Sequence, residues 1–455
     1  MILRPFCCAL PFLLSLCIYA EVSLDRHKFK DPPHLANGIK IGEVDATNAT
    51  VWLRLTHTPE QDFDLLQKGL QHQAIGGRGY ARIRYWTDDV PRPPVTTAWS
   101  YITETTDFTH QFVLANLWPG SQYRVRIETR SRPSDRVHIY DAAFRTAPAP
   151  DSQKGARLVL ACNQSYAMRD DRTNGNTAYL SMAAERPDFM VFAGNAVDHI
   201  AAADVATSRG RARRHWHRMY AQPLQREFHR HTACYFLKGD RDVWANDCWP
   251  RAKNARMGEF TFKDGIDVYR QQTPTGDSPY RSVSWGRHLQ IWLLEGREFR
   301  DLEFGTILGI EQLKWLRDGL AASKASFKFV CSATPILGPD FSRRQDNHAN
   351  PPYAAEGADL QAILAANNAI VLCGDRPWQY ASMNKAGLRE YGAGPTTDSL
   401  AIFSRKDEVP QYPFHRVGGG FLSVNVEVLD GQPMATIRHH DVSGTVRNED
   451  ILLAP

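Results

Sequence analysis

The sequence predicts an α/β domain preceded by a smaller all-β sandwich. Three features carry that expectation: a front segment of short alternating strands, a stiff proline linker, and a long remainder in which buried apolar runs alternate with helical stretches. From 38 to 147 strands are expected at 49–54, 80–86, 108–114, 122–127 and 141–145, a spacing with no helical period that points to a β-sandwich. Leu117, Trp118, Pro119 and Gly120 place a turn just before a strand bearing Tyr123, which resembles the tyrosine corner of fibronectin type III modules. Pro148 and Pro150 then stiffen a linker over 148–153. Beyond Lys154 the expected strands are 158–161, 189–193, 234–237, 289–294, 327–331 and 370–373. Helices are expected at 177–185, 215–221, 311–322 and 358–366, and Asp430-Gly431 marks a terminal hairpin between 421–428 and 434–439.

A chain of 455 residues is long enough for two or three domains, and the pattern supports two, at 35–147 and 154–455. With 43% hydrophobic and 23% charged residues it has ample material for buried cores, and a net charge of +4 singles out no nucleic-acid or other partner. Residues 1–20 read as a secretory signal: Arg4, then an apolar run from Phe6 to Ile18, then Ala20 before the polar Glu21. Arg4 is its only charge, so the processed chain carries one positive charge less, +3. The run is too short to span a bilayer, and export to the periplasm or the exterior is the expected outcome. Cleavage leaves Cys162, Cys234, Cys248, Cys331 and Cys373, an odd number, so at least one thiol is unpaired or metal-bound.

In an α/β sheet the ligand crevice lies beyond the carboxyl ends of the strands. Three strand ends share one punctuation, Gly194-Asn195, Gly239-Asp240 and Gly374-Asp375, and a fourth strand exits into Cys162-Asn163-Gln164-Ser165. Glycine permits a sharp exit, and the next residue then aims a short oxygen-bearing side chain at the crevice, the donor type that hard cations take.

Together with 38–42, 107–112, 215–229, 246–250, 289–300, 346–350 and 373–380, these ends resemble the alkaline phosphatase D family of metallophosphoesterases, including a bacterial subgroup with the same fibronectin-like front module. The resemblance implies a four-layer αββα sandwich in 154–455, iron and calcium as cofactors, and hydrolysis of phosphate mono- and diesters. It also implies metal-ligand positions at Cys162, Asn195, Asp198, Asp240 and Asp375, catalytic positions at Arg241 and His348, and substrate contacts at Arg241, Arg376, Asn347, His348 and Trp378.

Several of those positions depart from the family pattern. Asn195 stands where an aspartate bridges two metals, and an amide gives up the anion that holds adjacent cations together. Arg241 stands where a histidine serves the reacting phosphoryl group, and a guanidinium cannot exchange protons near neutral pH, although it can hold a phosphate or pair with Asp242. Pro377 stands where a histidine is a ligand and offers no donor at all. Cys162 reads either as a soft ligand or as a small core residue, and His348 either as a phosphate contact or as a loop cap. Arginines around Trp216 in 211–218, with His215 and His217, read as a solvated helix face with the indole turned inward. Hydrolysis of phosphate esters needs very large rate enhancements, so the expected activity is weak or lost, with or without a retained metal, and the alternative is an envelope protein that binds a phosphorylated ligand or a protein partner.

Overall fold

A computed structural model describes residues 31–59, 74–340, 345–401 and 412–454; the expected signal segment lies outside them. The front of the chain forms β1 (Ile39–Gly42), β2 (Ala49–Arg54), β3 (Gly79–Thr87), β4 (Val95–Thr96), β5 (Ser100–Ile102), β6 (Thr109–Leu114), β7 (Gln122–Arg130) and β8 (His138–Arg145). The remainder begins with β9 (Ala156–Ala161), α1 (Ala178–Ala184), β10 (Phe189–Ala193), α2 (Arg209–Tyr220), α3 (Pro223–His229), β11 (Ala233–Leu237), α4 (Asp240–Val243) and α5 (Phe262–Gln272). Next come β12 (Arg281–Trp285), β13 (Leu289–Leu293), α6 (Gly309–Ala322), β14 (Phe327–Ser332), α7 (Ala354–Ala366) and β15 (Ala369–Cys373). It closes with β16 (Gln379–Met383), β17 (Arg389–Gly392), β18 (Phe414–Arg416), β19 (Gly420–Leu429), β20 (Gln432–Asp441) and β21 (Val446–Leu453).

Two large sheets face each other, one ordered β21-β20-β19-β9-β10-β11-β1-β2-β6 and the other β12-β13-β14-β15-β17-β16-β18. Alternate residues of their strands, among them Leu158, Leu160, Val191, Ile291, Leu293, Phe329 and Leu372, fill the space between them. The opposite faces are covered by helices: Met190 and Phe192 meet Trp216 and Tyr220 of α2, while Trp292, Val330 and Val371 meet Leu316, Leu320, Leu360 and Leu364 of α6 and α7. The result is the expected α/β/β/α stack. The indole of Trp216 is buried, as read from the sequence.

The front module is less separate than its strand spacing suggests. β3, β7 and β8, with β4 and β5, form their own sheet, but β1 pairs in parallel with β11, so β1, β2 and β6 extend the larger domain's sheet. The physical reason is edge protection: without β1, β11 would leave a row of unpaired backbone groups. Hydrophobic spacing within each segment carries no information about pairing between segments. The tyrosine corner is present, with the Trp118 amide donating to the Tyr123 hydroxyl at 2.9 Å.

The module also caps a helix. The last carbonyls of α5 lack intrahelical donors, and side chains of β1, β2 and β6 supply them. Lys40 Nζ donates to Gln272 O at 2.6 Å, Trp52 Nε1 to Gln271 O at 2.7 Å and Gln111 Nε2 to Thr273 O at 3.0 Å. Lys40 is buried, and its ammonium lies 3.7 Å from the Trp52 ring centroid and 4.0 Å from that of Tyr220, so cation–π contacts and the helix end replace its lost hydration. Beside it, Asp107 accepts from His217 Nε2 at 2.5 Å and Gln272 Nε2 at 2.7 Å and pairs with Arg54. Burial pushes His217 down to about 4, so the imidazole is neutral at pH 7 and acts as a hydrogen-bond donor.

Two predictions follow from these buried polar groups. Replacing Asp107 with alanine strands Arg54 and His217 without their acceptor and should cost about 3–5 kcal/mol, read as a fall in the urea midpoint with an unchanged slope. His229 is enclosed by Tyr179, Tyr220, Phe228 and Phe236, its ring nitrogens have no partner among the described residues, and burial pushes it from 6.5 down to about 3. A histidine whose folded value is depressed loses stability as pH falls from its unfolded value toward the folded one. His229→Phe should therefore make the stability difference between pH 7 and pH 5 smaller by about 2 kcal/mol, measured by thermal unfolding at the two pH values.

Candidate active site

Four strand ends meet. β9, β10, β11 and β15 lie side by side or face to face, and the residues just past them, Asn163, Asn195, Asp240 and Asp375, belong to one hydrogen-bonded ring. Asn163, Asn195 and Asp375 hold left-handed backbone conformations, with φ of 50, 58 and 66°, a region that asparagine and aspartate tolerate better than most residues. The preceding Gly194 sits at φ 85°, and a side chain at Gly239 would collide with the Asn195 carboxamide. These turns are therefore specified by residue type.

The ring is tied from beneath by Asp242. Its buried carboxylate accepts from the amides of Asn195 at 2.7 Å, Gly239 at 2.9 Å and Val197 at 3.0 Å, joining the exits of β10 and β11. Burial raises it to about 7 against the pull of those amides. Sequence reading offered Asp242 as a partner for Arg241, whereas Arg241 Nη1 in fact donates to Asp198 Oδ2 at 2.9 Å. The backbone amides are nearer and leave Asp242 no free face.

Asn195 Nδ2 donates to Asn163 Oδ1 at 2.8 Å and, more weakly, to Asp375 Oδ1 at 3.4 Å, while its Oδ1 accepts from the Arg241 amide at 3.3 Å. Asn163 Nδ2 in turn donates to Asp375 O at 2.8 Å. Asp240 is buried, and its carboxylate accepts the amides of Arg241 at 2.8 Å and Asp247 at 2.7 Å. Asn163, Gln164, Ser165, Asn195, Asp198 and Arg241, with Asn246, Asp375 and Pro377, line a crevice of about 150 Å³. The Arg241 side chain is 40% exposed there; burial works against its charge, but Asp198, Asp240 and Asp375 hold the guanidinium protonated.

Other expected site residues lie elsewhere or are engaged. Cys162 is fully buried with its thiol donating to Gly394 O at 3.2 Å, and burial together with the Asp375 charge pushes its ionisation far up. Arg376 is 1% exposed and grips Asp375, Asp340 at 2.9 Å and Asp346 at 2.9 Å. Asn347 donates to Asp340 at 2.6 Å and accepts from the Ala349 amide at 3.0 Å, and His348 Nε2 meets Glu356 at 2.9 Å, tying its loop to α7. Trp378 is buried, 6.0 Å from the Arg376 guanidinium. Asp346 and Asp340, which hold Arg376, and the buried Arg297, whose charge is sustained by Asp240, Asp375 and Asp346, were not picked out as site residues from the sequence; a short charged side chain in a loop carries no sign of whom it pairs with.

The donor set does not match a metal pair. Where an anion should face two cations, Asn195 turns its amide N–H groups toward Asn163 and Asp375, and Asp375 already carries the Arg376 guanidinium. Pro377 adds no donor, and among the described residues no group of three or more histidine, cysteine, aspartate or glutamate side chains is arranged to hold a metal ion.

A larger cleft of about 380 Å³, lined by Arg145, Tyr179, Arg186, Asp188, Glu227 and His231, opens at the amino ends of β10 and β11. The strand carboxyl ends are where α/β sheets place their chemistry, and the polar ring lies there.

Comparison with known proteins bears on the fold and the family. No curated protein sequence matches the chain. The solved structure of PhoD superposes with a TM-score of 0.71 at 16% identity, covering 92% of this chain and 89% of that one. The purple acid phosphatase PPD1 from yellow lupin (Lupinus luteus) seeds superposes with a TM-score of 0.64 at 14% identity, covering 91% of this chain and 74% of that one. At such identities the likeness is one of fold. The family model described as PhoD-like phosphatase matches residues 158–393, from β9 through β17, a span that contains every strand end of the polar ring, and the chain belongs to that family.

Proposed function

We propose that this PhoD-like protein is exported and uses its crevice to hold a phosphoester, with hydrolysis weak or lost. The observation that carries this reading is the Asn195 carboxamide: it directs N–H groups at Asn163 and Asp375, where a cation pair needs an anionic oxygen. Arg241 supports it from the other side of the crevice. A guanidinium kept charged by Asp198, Asp240 and Asp375 cannot donate a proton to a departing alkoxide, a contribution worth about 10²–10⁴ in rate where it exists. It can still meet a phosphoryl oxygen, since Nη1 alone is committed to Asp198 and the side chain is 40% exposed. The Asn246 amide and the Ser165 hydroxyl, which also line the crevice, add neutral donors around it.

Asp198 is offset by Arg241, while Asp375 shares the Arg376 guanidinium with Asp340 and Asp346, so the exposed part of Arg241 is the cation a ligand would meet. Binding without turnover then follows from what the residues can do: they orient and neutralise, and among the described residues the crevice presents no histidine to move a proton.

Elemental analysis of the signal-free protein after incubation with iron, calcium, manganese or zinc should find well below one metal per chain. Turnover of p-nitrophenyl phosphate and bis(p-nitrophenyl) phosphate should then match buffer; two metals per chain with metal-dependent turnover would sink the proposal. The triple change Asn195→Asp, Arg241→His and Pro377→His should raise metal occupancy, whereas unchanged occupancy counts against these positions as the site. Calorimetric titration with phenyl phosphate should show Arg241→Ala weakening binding about tenfold, the loss of one charge-assisted contact.

A further inference from the structure

The outer face of the five-stranded sheet in the front module is strongly cationic, and neither the fold nor the crevice accounts for it. Inward residues such as Ile83, Tyr85, Val125 and Ile127 are buried, and the alternate positions face out. Those outward positions include six arginines: Arg82 and Arg84 on β3, Arg124, Arg126 and Arg130 on β7, and Arg145 on β8. Three acids pair with them, Glu128 with Arg82 at 2.7 Å, Asp141 with Arg126 at 3.0 Å and Asp88 with Arg124 at 2.9 Å, and Asp188 lies close enough to Arg145 to feel its charge, which leaves an excess of two positive charges, on Arg84 and Arg130.

The register makes the excess costly. Arg84 stands directly opposite Arg126 across the β3–β7 ladder, and like charges in that relation destabilise a sheet. Arg84 is exposed and has no ion pair or side-chain hydrogen bond among the described residues. Aromatic rings hold the neighbouring guanidinium groups in place: Arg82 lies 4.5 Å and Arg130 3.8 Å from the Trp99 centroid, and Arg126 lies 5.9 Å from that of Trp86. Beside Tyr80, whose ring lies 4.8 Å away and tilted by 40°, Tyr101 presents a ring that is 56% exposed.

We propose that this face docks a linear acidic polysaccharide. Arg82 and Arg84 on β3 and Arg124 and Arg126 on β7 occupy successive outward positions along their strands, with Arg84 facing Arg126, so the cationic positions form a row that suits a polymer with an anionic group on successive sugars. The exposed Tyr101 ring suits the apolar face of a pyranose. Single-stranded nucleic acid fits less well, because the rings of Trp99 and Trp86 are already covered by arginines and cannot stack on bases. A bilayer also fits less well, because the centre of the face, Arg84 with Arg126, is charged, and the exposed aliphatic Ile139 stands apart from it on β8. This inference is independent of the reading of the crevice.

The test is binding of the signal-free full chain to alginate by biolayer interferometry across a salt series, with oligothymidylate and phosphatidylglycerol vesicles as competing probes. Binding to alginate should be the tightest of the three and should weaken with salt. The double variant Arg84→Ser, Arg126→Ser should bind at least tenfold more weakly with a shallower salt slope. Arg317→Ser, an exposed arginine on α6, should leave binding unchanged. Arg84→Ser alone should leave the melting temperature unchanged or raise it, because it relieves a cross-strand repulsion. Equal binding by the double variant, tighter binding to either competing probe, or no binding to alginate at low salt would each overturn the proposal.

Discussion

The geometry of the crevice depends on one buried carboxylate. Asp242 has no bulk water to solvate it and takes the amides of Asn195, Gly239 and Val197 instead, so the exits of β10 and β11 cannot move independently. Once those exits are fixed, the left-handed conformation of Asn195 follows, and with it the direction of its carboxamide. The residue that sets these turns is separate from the residues that line the crevice.

Several acids in and behind the crevice meet arginines of the same chain. The sites of phosphoryl-transfer proteins commonly set acidic side chains against mobile cations, and here the acids face fixed ones: Asp198 faces Arg241, and Asp375, Asp346 and Asp340 share Arg376. A guanidinium delivers charge together with directional donors, but it cannot lower the pKa of a bound water as a metal does.

Much of this was legible in the sequence, for reasons that differ by element. The buried strands β9, β10, β11, β13, β14 and β15 stand out as continuous apolar runs, and three of them, β10, β11 and β15, lead into the Gly-Asn or Gly-Asp punctuation that lines the crevice. Short strands such as β4, β5, β16, β17 and β18 lack that contrast, and the β1–β11 pairing depends on long-range register. In the site, Asn195, Arg241 and Pro377 could be read because they depart from a recognisable motif. The roles of Asp242, Asp340 and Asp346 could not, since they arise from partners distant in the chain that only the folded topology brings near.

The way the front module closes α5 bears on how the protein can be divided. Lys40, Trp52 and Gln111 satisfy carbonyls of a helix that belongs to the other half of the chain, and β1 covers an edge of its sheet. A fragment trimmed at the proline linker would expose that helix end, the open strand of β11 and the indole of Trp216 together. The two halves are best regarded as one cooperative folding unit, so evolutionary shuffling of this front piece would have to carry along a matching helix terminus on its host.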